Sequence, residues 1–132
     1  MIAVILLTHS SLGLELLKTT EMIIGKQDKV EVLSIHSGTT LSILVEKLDQ
    51  LVEKYKDGGV VIATDMFGGS PSNIAMAYLV NEGVEVITGV NLPMLIKIFS
   101  DRKSVETPQE LCALAAEAAK KSIIIAGEIM KR

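Results

Sequence analysis

Apolar positions along the chain fall into two kinds of stretch, and the two kinds alternate. Residues 2–8, IAVILLT, form an unbroken run rich in branched side chains, which predicts a strand buried on both faces. The run stops at His9, Ser10 and Ser11. The two serines ahead of LGLELLKTTEMIIG are candidate N-caps and Gly25 a candidate C-cap, so residues 11–24 read as a first helix. VEVLSI at 30–35 is the second strand; after HSGTT, Leu41, Leu44, Val45, Leu48, Leu51, Val52 and Tyr55 recur at helical spacing until Asp57, Gly58 and Gly59 end the pattern. VVIAT at 60–64 is the third strand. It leads through DMFGGSPSN to a helix starting near Pro71, with Ser70 placed as its cap. VEVIT at 84–88 is the fourth strand, followed by a GVNLP loop, a short helix LIKIF and an Ala-rich helix from Pro108 through Ala119. The run SIIIAGEI at 122–129 reads as a fifth strand.

Strands alternating with helices over short connections imply an α/β fold: a doubly wound, mainly parallel sheet with right-handed crossovers and helices on both faces. The 132 residues suit a single domain, 1–132, with no linker or repeat inside it. Composition sharpens this picture. Apolar residues make up 48% of the chain and aromatics only 3%, so the core is expected to be aliphatic, with the six methionines as filler. Thirteen basic against sixteen acidic residues, without a basic cluster, argue against nucleic acid as a partner. The apolar runs are strand-sized and none follows a charged leader, which gives a cytoplasmic expectation. Cys112, the single cysteine, sits in the Ala-rich segment and reads as a buried hydrophobe, so no metal and no cofactor is expected.

In an open parallel sheet, chemistry gathers beyond the carboxyl ends of the strands. Three loops lie there: THSS, TDMFGGSPSN and TGVNLP. If the first strand lies between the second and third, His9 and Asp65 face one another. A carboxylate accepting a hydrogen bond from one ring nitrogen fixes the imidazole tautomer and supports the positive ring that forms when the other nitrogen attacks. Gly68, Gly69, Ser70 and the start of the helix after His9 are candidate donors to phosphoryl oxygens. Each residue also has a plainer reading: His9 and Asp65 as turn residues, the glycines as a tight turn. His36 repeats the position of His9 after the second strand but lacks an evident acid. GxGxxG is absent, and no glycine precedes Gly25-Lys26 at phosphate-loop spacing.

ILLTHSSLGLELLKTTEMIIG, TDMFGGSPSN and GVNLPML, in this order and one at each of three strand ends, resemble the signature segments of mannose-family enzyme IIA domains of the sugar phosphotransferase system. The resemblance covers essentially the whole chain. It implies that His9 accepts a phosphoryl group on Nε2 from the phosphocarrier protein HPr and passes it to enzyme IIB. Asp65 would hold Nδ1, and Ser70 would lie beside the phosphoryl site. It also implies strand order 2-1-3-4, a homodimer exchanging an antiparallel fifth strand, and membrane contact only through transporter subunits. One departure stands out: the family pattern has glycine where this chain has Ser10. His-Ser-Ser also looks like the phosphoryl donor domain of dihydroxyacetone kinase, and similar domains occur as phosphorylatable modules of transcription activators; both stay as alternatives. Met66, Phe67, Leu92, Pro93 and Met94 are expected to form an apolar rim that docks the partner proteins.

Overall fold

The structure, a computed structural model, describes residues 1–130; the last two residues of the expected 1–132 domain lie outside it. In chain order the elements are β1 (Ala3–His9), α1 (Leu12–Ile24), β2 (Val30–Ile35), α2 (Leu41–Tyr55), β3 (Val60–Thr64), α3 (Ser70–Met76), β4 (Val84–Thr88), α4 (Leu92–Asp101), α5 (Pro108–Lys121) and α6 (Ala126–Ile129). The four strands form one sheet in the order β2-β1-β3-β4 with every neighbouring pair parallel. The expected topology is thus present. β1 and β3, the inner strands, are buried up to Thr8 and Thr64, whereas the edge strand β2 is only half-buried along its length.

The unbroken apolar runs of β1 and β3 feed two cores, because successive side chains point to opposite faces. Leu6, Val61 and Ala63 pack with Leu95, Ile98, Leu111 and Ala115 on the face covered by α1, α4 and α5. Ile5, Leu7 and Ile62 pack with Leu44, Leu48 and Val52 of α2 and Ala75 of α3 on the other. Truncating one of these fully buried leucines to alanine removes about 2–5 kcal/mol, so the sheet is a firm platform for the loops above it. Cys112 lies in the first of these cores; burial, with Glu85 nearby, pushes its thiol up to about 12, which keeps it neutral.

At the amino ends of the strands, Arg102 is 2% exposed and donates to the carbonyls of Ile2, Asp28 and Lys29 and to the Gln27 side chain. Its guanidinium lies 4.9 Å from the centre of the Phe99 ring. Burial holds its pKa below the ordinary value, against the pull of Asp28. This clamp ties the start of β1 to the turn that enters β2.

Three expectations need correction. The predicted fifth strand is absent among the described residues: Ile123, Ile124 and Ile125 are irregular and exposed, and α6 follows them. A strand without a ladder leaves its amides unpaired, and among the described residues no strand pairs with the outer edge of β4. The segment instead closes local bonds, Glu128 N–H to the Ile125 carbonyl and Met130 N–H to that of Ala126. The LIKIF helix begins earlier, at Leu92, because the Asn91 side chain accepts the Met94 N–H at 2.9 Å and Pro93 fits a first turn. Ser11 occupies the N-cap position of α1 but makes no side-chain cap; the buried hydroxyl of Thr8 accepts the Gly13 N–H at 2.8 Å instead.

Candidate active site at the carboxyl ends of the strands

His9 ends β1 and Asp65 directly follows β3. Leu7 pairs with Thr64 across the two strands, so the parallel ladder brings the residues beyond them together. One carboxylate oxygen of Asp65, Oδ2, accepts both the His9 backbone N–H at 3.0 Å and contacts His9 Nδ1 at 2.8 Å, while Oδ1 accepts the Met66 N–H at 3.1 Å. An ionised carboxylate only accepts, so Nδ1 carries a ring proton, and in the neutral ring Nε2 is the nitrogen that presents a lone pair. The His9 side chain is 46% exposed and that of Asp65 11%. Burial alone would raise the Asp65 carboxyl; the His9 backbone N–H, then its ring by hydrogen bond and charge, outweigh this and hold it below its usual 3.8. The Asp65 carboxylate is therefore ionised at neutral pH, ready to accept from His9.

The two glycines divide the readings offered for them. Gly68 has φ +96°, a left-handed turn that glycine adopts without cost, and its N–H is already bound by the Ser72 hydroxyl at 2.8 Å. Gly69 has φ −91°, open to any residue, yet a Cβ there would stand 2.8 Å from His9 Cε1 and 3.3 Å from Nε2. The first is a turn glycine. The second is bare because the imidazole lies against it.

Ser10 is exposed and has φ +52°, in the left-handed region, with its N–H bound to the Ile35 carbonyl at 2.8 Å. A serine thus holds a backbone shape that glycine adopts more readily. Ser70 is exposed in the first turn of α3 and makes no cap; Gly69 stands at the N-cap position and Ser72 ties the loop. Of the expected rim, Met66 and Phe67 are exposed beyond β3, Pro93 is exposed and Leu92 half-buried beyond β4. Met94 does not belong with them: at 3% exposed it is part of the core, because the Asn91 cap turns it inward at the third position of α4. His36 stands just beyond the end of β2, with no acid paired to its ring among the described residues and its backbone N–H bound by Thr39 Oγ1 at 2.8 Å.

Two residues that sequence reasoning passed over shape the site. Thr8 anchors the helix after His9, and Ser72 fixes the glycine turn. Their signals were a hydroxyl ending a buried strand five residues before a glycine, and a serine three and four residues after a glycine pair. Among the described residues no group of three or more His, Cys, Asp or Glu is placed to hold a metal ion, and no helix is long and apolar enough to cross a membrane.

Comparison with known proteins places this geometry in context. Residues 3–116 match the family model described as PTS system fructose IIA component, EIIA-man. The PTS system mannose-specific EIIAB component of Escherichia coli K12 is 37% identical over 124 residues, which is 92% of this chain and 38% of that protein. The chain thus spans well under half the length of that relative. The PTS system fructose-specific EIIA component of Bacillus subtilis is 29% identical over 105 residues, 78% of this chain and 72% of that one. Among solved structures, the phosphotransferase system component EIIA of Streptococcus agalactiae superposes with a TM-score of 0.90 at 24% identity, covering 97% of this chain and 99% of the other. The mannose/sorbose specific IIA subunit of Enterococcus faecalis gives 0.77 at 28% identity, over 93% and 92%.

Proposed function

The chain belongs to the fructose- and mannose-type enzyme IIA family of the sugar phosphotransferase system, and on that premise we propose that it is a phosphohistidine carrier working through His9. The observation that carries the reading is the 2.8 Å contact between His9 Nδ1 and Asp65 Oδ2. It leaves Nε2 as the attacking atom on an exposed ring, where a phosphoryl group held by another protein can reach it. The P–N bond of the donor breaks with its electron pair returning to the donor ring as a new P–Nε2 bond forms on His9. The imidazole becomes positive, and the Asp65 carboxylate beside Nδ1 stabilises it. Transfer onward to the acceptor is the same step in reverse. Such chemistry depends on in-line placement and charge stabilisation more than on covalent help.

The donor in this reading is HPr and the acceptor is enzyme IIB, with the sugar phosphorylated downstream. The phosphoryl oxygens are received by the Ser70 and Ser10 hydroxyls and the N–H groups of Gly69 and Ser70; the Gly68 N–H, taken by Ser72, is not among them. Met66, Phe67, Pro93 and the exposed part of Leu92 form the docking rim. The whole chain acts as one domain within a homodimer whose C-terminal segments are exchanged and take up strand pairing only against the partner's sheet. The exposure of Ile123, Ile124, Ile125, Ile129 and Met130, and the place of β4 at the sheet edge, support that arrangement.

The test is incubation with phosphoenolpyruvate, enzyme I and HPr, read by intact mass. One acid-labile, alkali-stable phosphoryl group that disappears in His9→Ala is expected. An unlabelled wild type with active partners, or a labelled His9→Ala, overturns the reading.

A further inference from the structure

Ser72 is fully buried at the third position of α3, and its hydroxyl does two things. It accepts the Gly68 N–H at 2.8 Å and donates to the Gly69 carbonyl at 3.1 Å. The same carbonyl also accepts the Asn73 N–H at 3.0 Å. The peptide groups on both sides of the glycine pair are thereby held from beneath by one side chain and one helix amide. Gly69 in turn lies against His9 so closely that an added Cβ would overlap Cε1 and crowd Nε2. Its α-carbon is a wall beside the ring edge that carries the reactive nitrogen. Asp65 fixes one edge of the imidazole from Nδ1; the wall limits the ring's rotation at the other.

We propose that Ser72 is a positioning residue for His9: its buried hydroxyl locks the Gly68–Gly69 turn into the wall that aims Nε2. The proposal rests on the reading of His9 as the phosphoryl acceptor. A hydroxyl is required because one group must accept from an N–H and donate to a carbonyl at once, which neither alanine nor an acidic residue does at neutral pH. Burial of Ser72 makes the lock stiff, since losing its hydroxyl removes the partner of the Gly68 N–H and leaves the Gly69 carbonyl with the Asn73 N–H alone. Attack on phosphorus needs an aligned nucleophile, and a displacement of about 1 Å at the reacting atom is enough to slow such a step about 100-fold.

The test is Ser72→Ala, followed by Ser72→Thr as the variant that restores a hydroxyl, in the full chain. Single-turnover phosphorylation of His9 by phosphorylated HPr is measured with the dependence on HPr concentration. The His9 ring ¹⁵N shifts of the unphosphorylated protein are recorded alongside. Ser72→Ala is expected to lower the maximal transfer rate about tenfold with the half-saturating HPr concentration unchanged, to move the His9 ring shifts, and to be restored in part by Ser72→Thr. Wild-type rate and shifts in Ser72→Ala overturn the proposal. So does a rise in half-saturation with unmoved ring shifts, which would make Ser72 a support of the docking surface. Should Ser72→Ala fail to fold, Ser72→Cys preserves the volume with a weaker donor, and unmoved ring shifts there overturn the proposal equally. A wild-type protein that takes no phosphoryl group defeats the His9 reading, whereas the ring shifts still report on whether Ser72 orients the imidazole.

Discussion

The turns after β1 and β2 start alike, each with His-Ser following an apolar strand, yet they end in different chemistry. In the first, His9 reaches across to Asp65 with both its backbone and its ring, and Ser10 is anchored to the end of β2. In the second, the turn closes on itself: His36 N–H bonds Thr39 Oγ1, Thr39 N–H bonds the His36 carbonyl, and Gly38 takes φ +85°. Strand order makes the difference. β1 is central and has β3 beside it to supply an acid and a glycine wall; β2 is an edge and has neither. On the proposed function, a histidine at a strand end becomes reactive through what the neighbouring strand delivers.

The sharpest way to break this comparison is Asp65→Asn. The amide cannot serve the His9 backbone N–H and the ring as two acceptor bonds while also stabilising a positive imidazole, so phosphorylation of His9 should slow by about 100-fold or more. Retention of the wild-type rate in the same mass assay would make His9 no different in kind from His36. The variant also has a pH signature. The folded carboxyl lies below its ordinary 3.8, so the contact stabilises the fold fully above that value and is lost as pH falls through the lower folded one. The difference in unfolding midpoint between wild type and variant should therefore be flat from neutral pH down to about 5 and shrink only below the ordinary carboxylate range.

Gly69→Ala probes the wall. Its backbone is extended and open to alanine, and the obstructed atom belongs to the partly exposed His9 ring, so the cost falls on the ring's position more than on the fold. Transfer is expected to drop about 10- to 100-fold with a thermal midpoint close to wild type. A large loss of stability would instead identify Gly69 as a turn residue, as Gly68 is.

Much of this was legible in the chain. The unbroken aliphatic run of β1 marked it as buried on both faces, the strand order came from the family resemblance, and the stripe of Leu44, Leu48 and Val52 located the buried face of α2. His9 and Asp65 were found because each is polar and follows such a run. What escaped depended on which hydroxyl of several satisfies a given amide. Ser11 and Ser70 were placed as caps by position, yet Thr8 and Ser72, both buried, perform the bonding. Both hydroxyls are buried and held in place by the packing around them, whereas Ser11 and Ser70 are exposed to solvent. The rim suffered from the same limit: Met94 follows Leu92 and Pro93 in sequence, but a capped helix start rotates it into the core. SIIIAGEI has strand composition, yet among the described residues it pairs with no strand and ends in a helical turn, which local propensity does not register.

Ser10→Gly should act on stability more than on chemistry. Relief of the left-handed backbone is worth about 1 kcal/mol, and the extra freedom of glycine in the unfolded chain returns roughly half of it. The net gain of about 0.5 kcal/mol corresponds to a rise in thermal midpoint of about 2 °C. A fall in stability would mean that the exposed Ser10 hydroxyl makes a compensating bond, and a fall in transfer rate with stability gained would assign that hydroxyl to the phosphoryl group.

The smallest expected effect is the most discriminating for the comparison itself. His36→Ala leaves the Thr39 bond to the backbone intact, because that bond uses the N–H rather than the ring, and none of the described residues bonds the ring. Stability should stay within about 0.5 kcal/mol of wild type and transfer to and from His9 within about twofold. A drop in transfer without a change in the His9 ring shifts would place His36 on the surface that meets the donor or acceptor, since its strand end adjoins Ser10 through the Ile35 carbonyl. A drop accompanied by altered His9 shifts would show that the two turns are coupled, and strand order alone would no longer account for the different roles proposed for the two histidines.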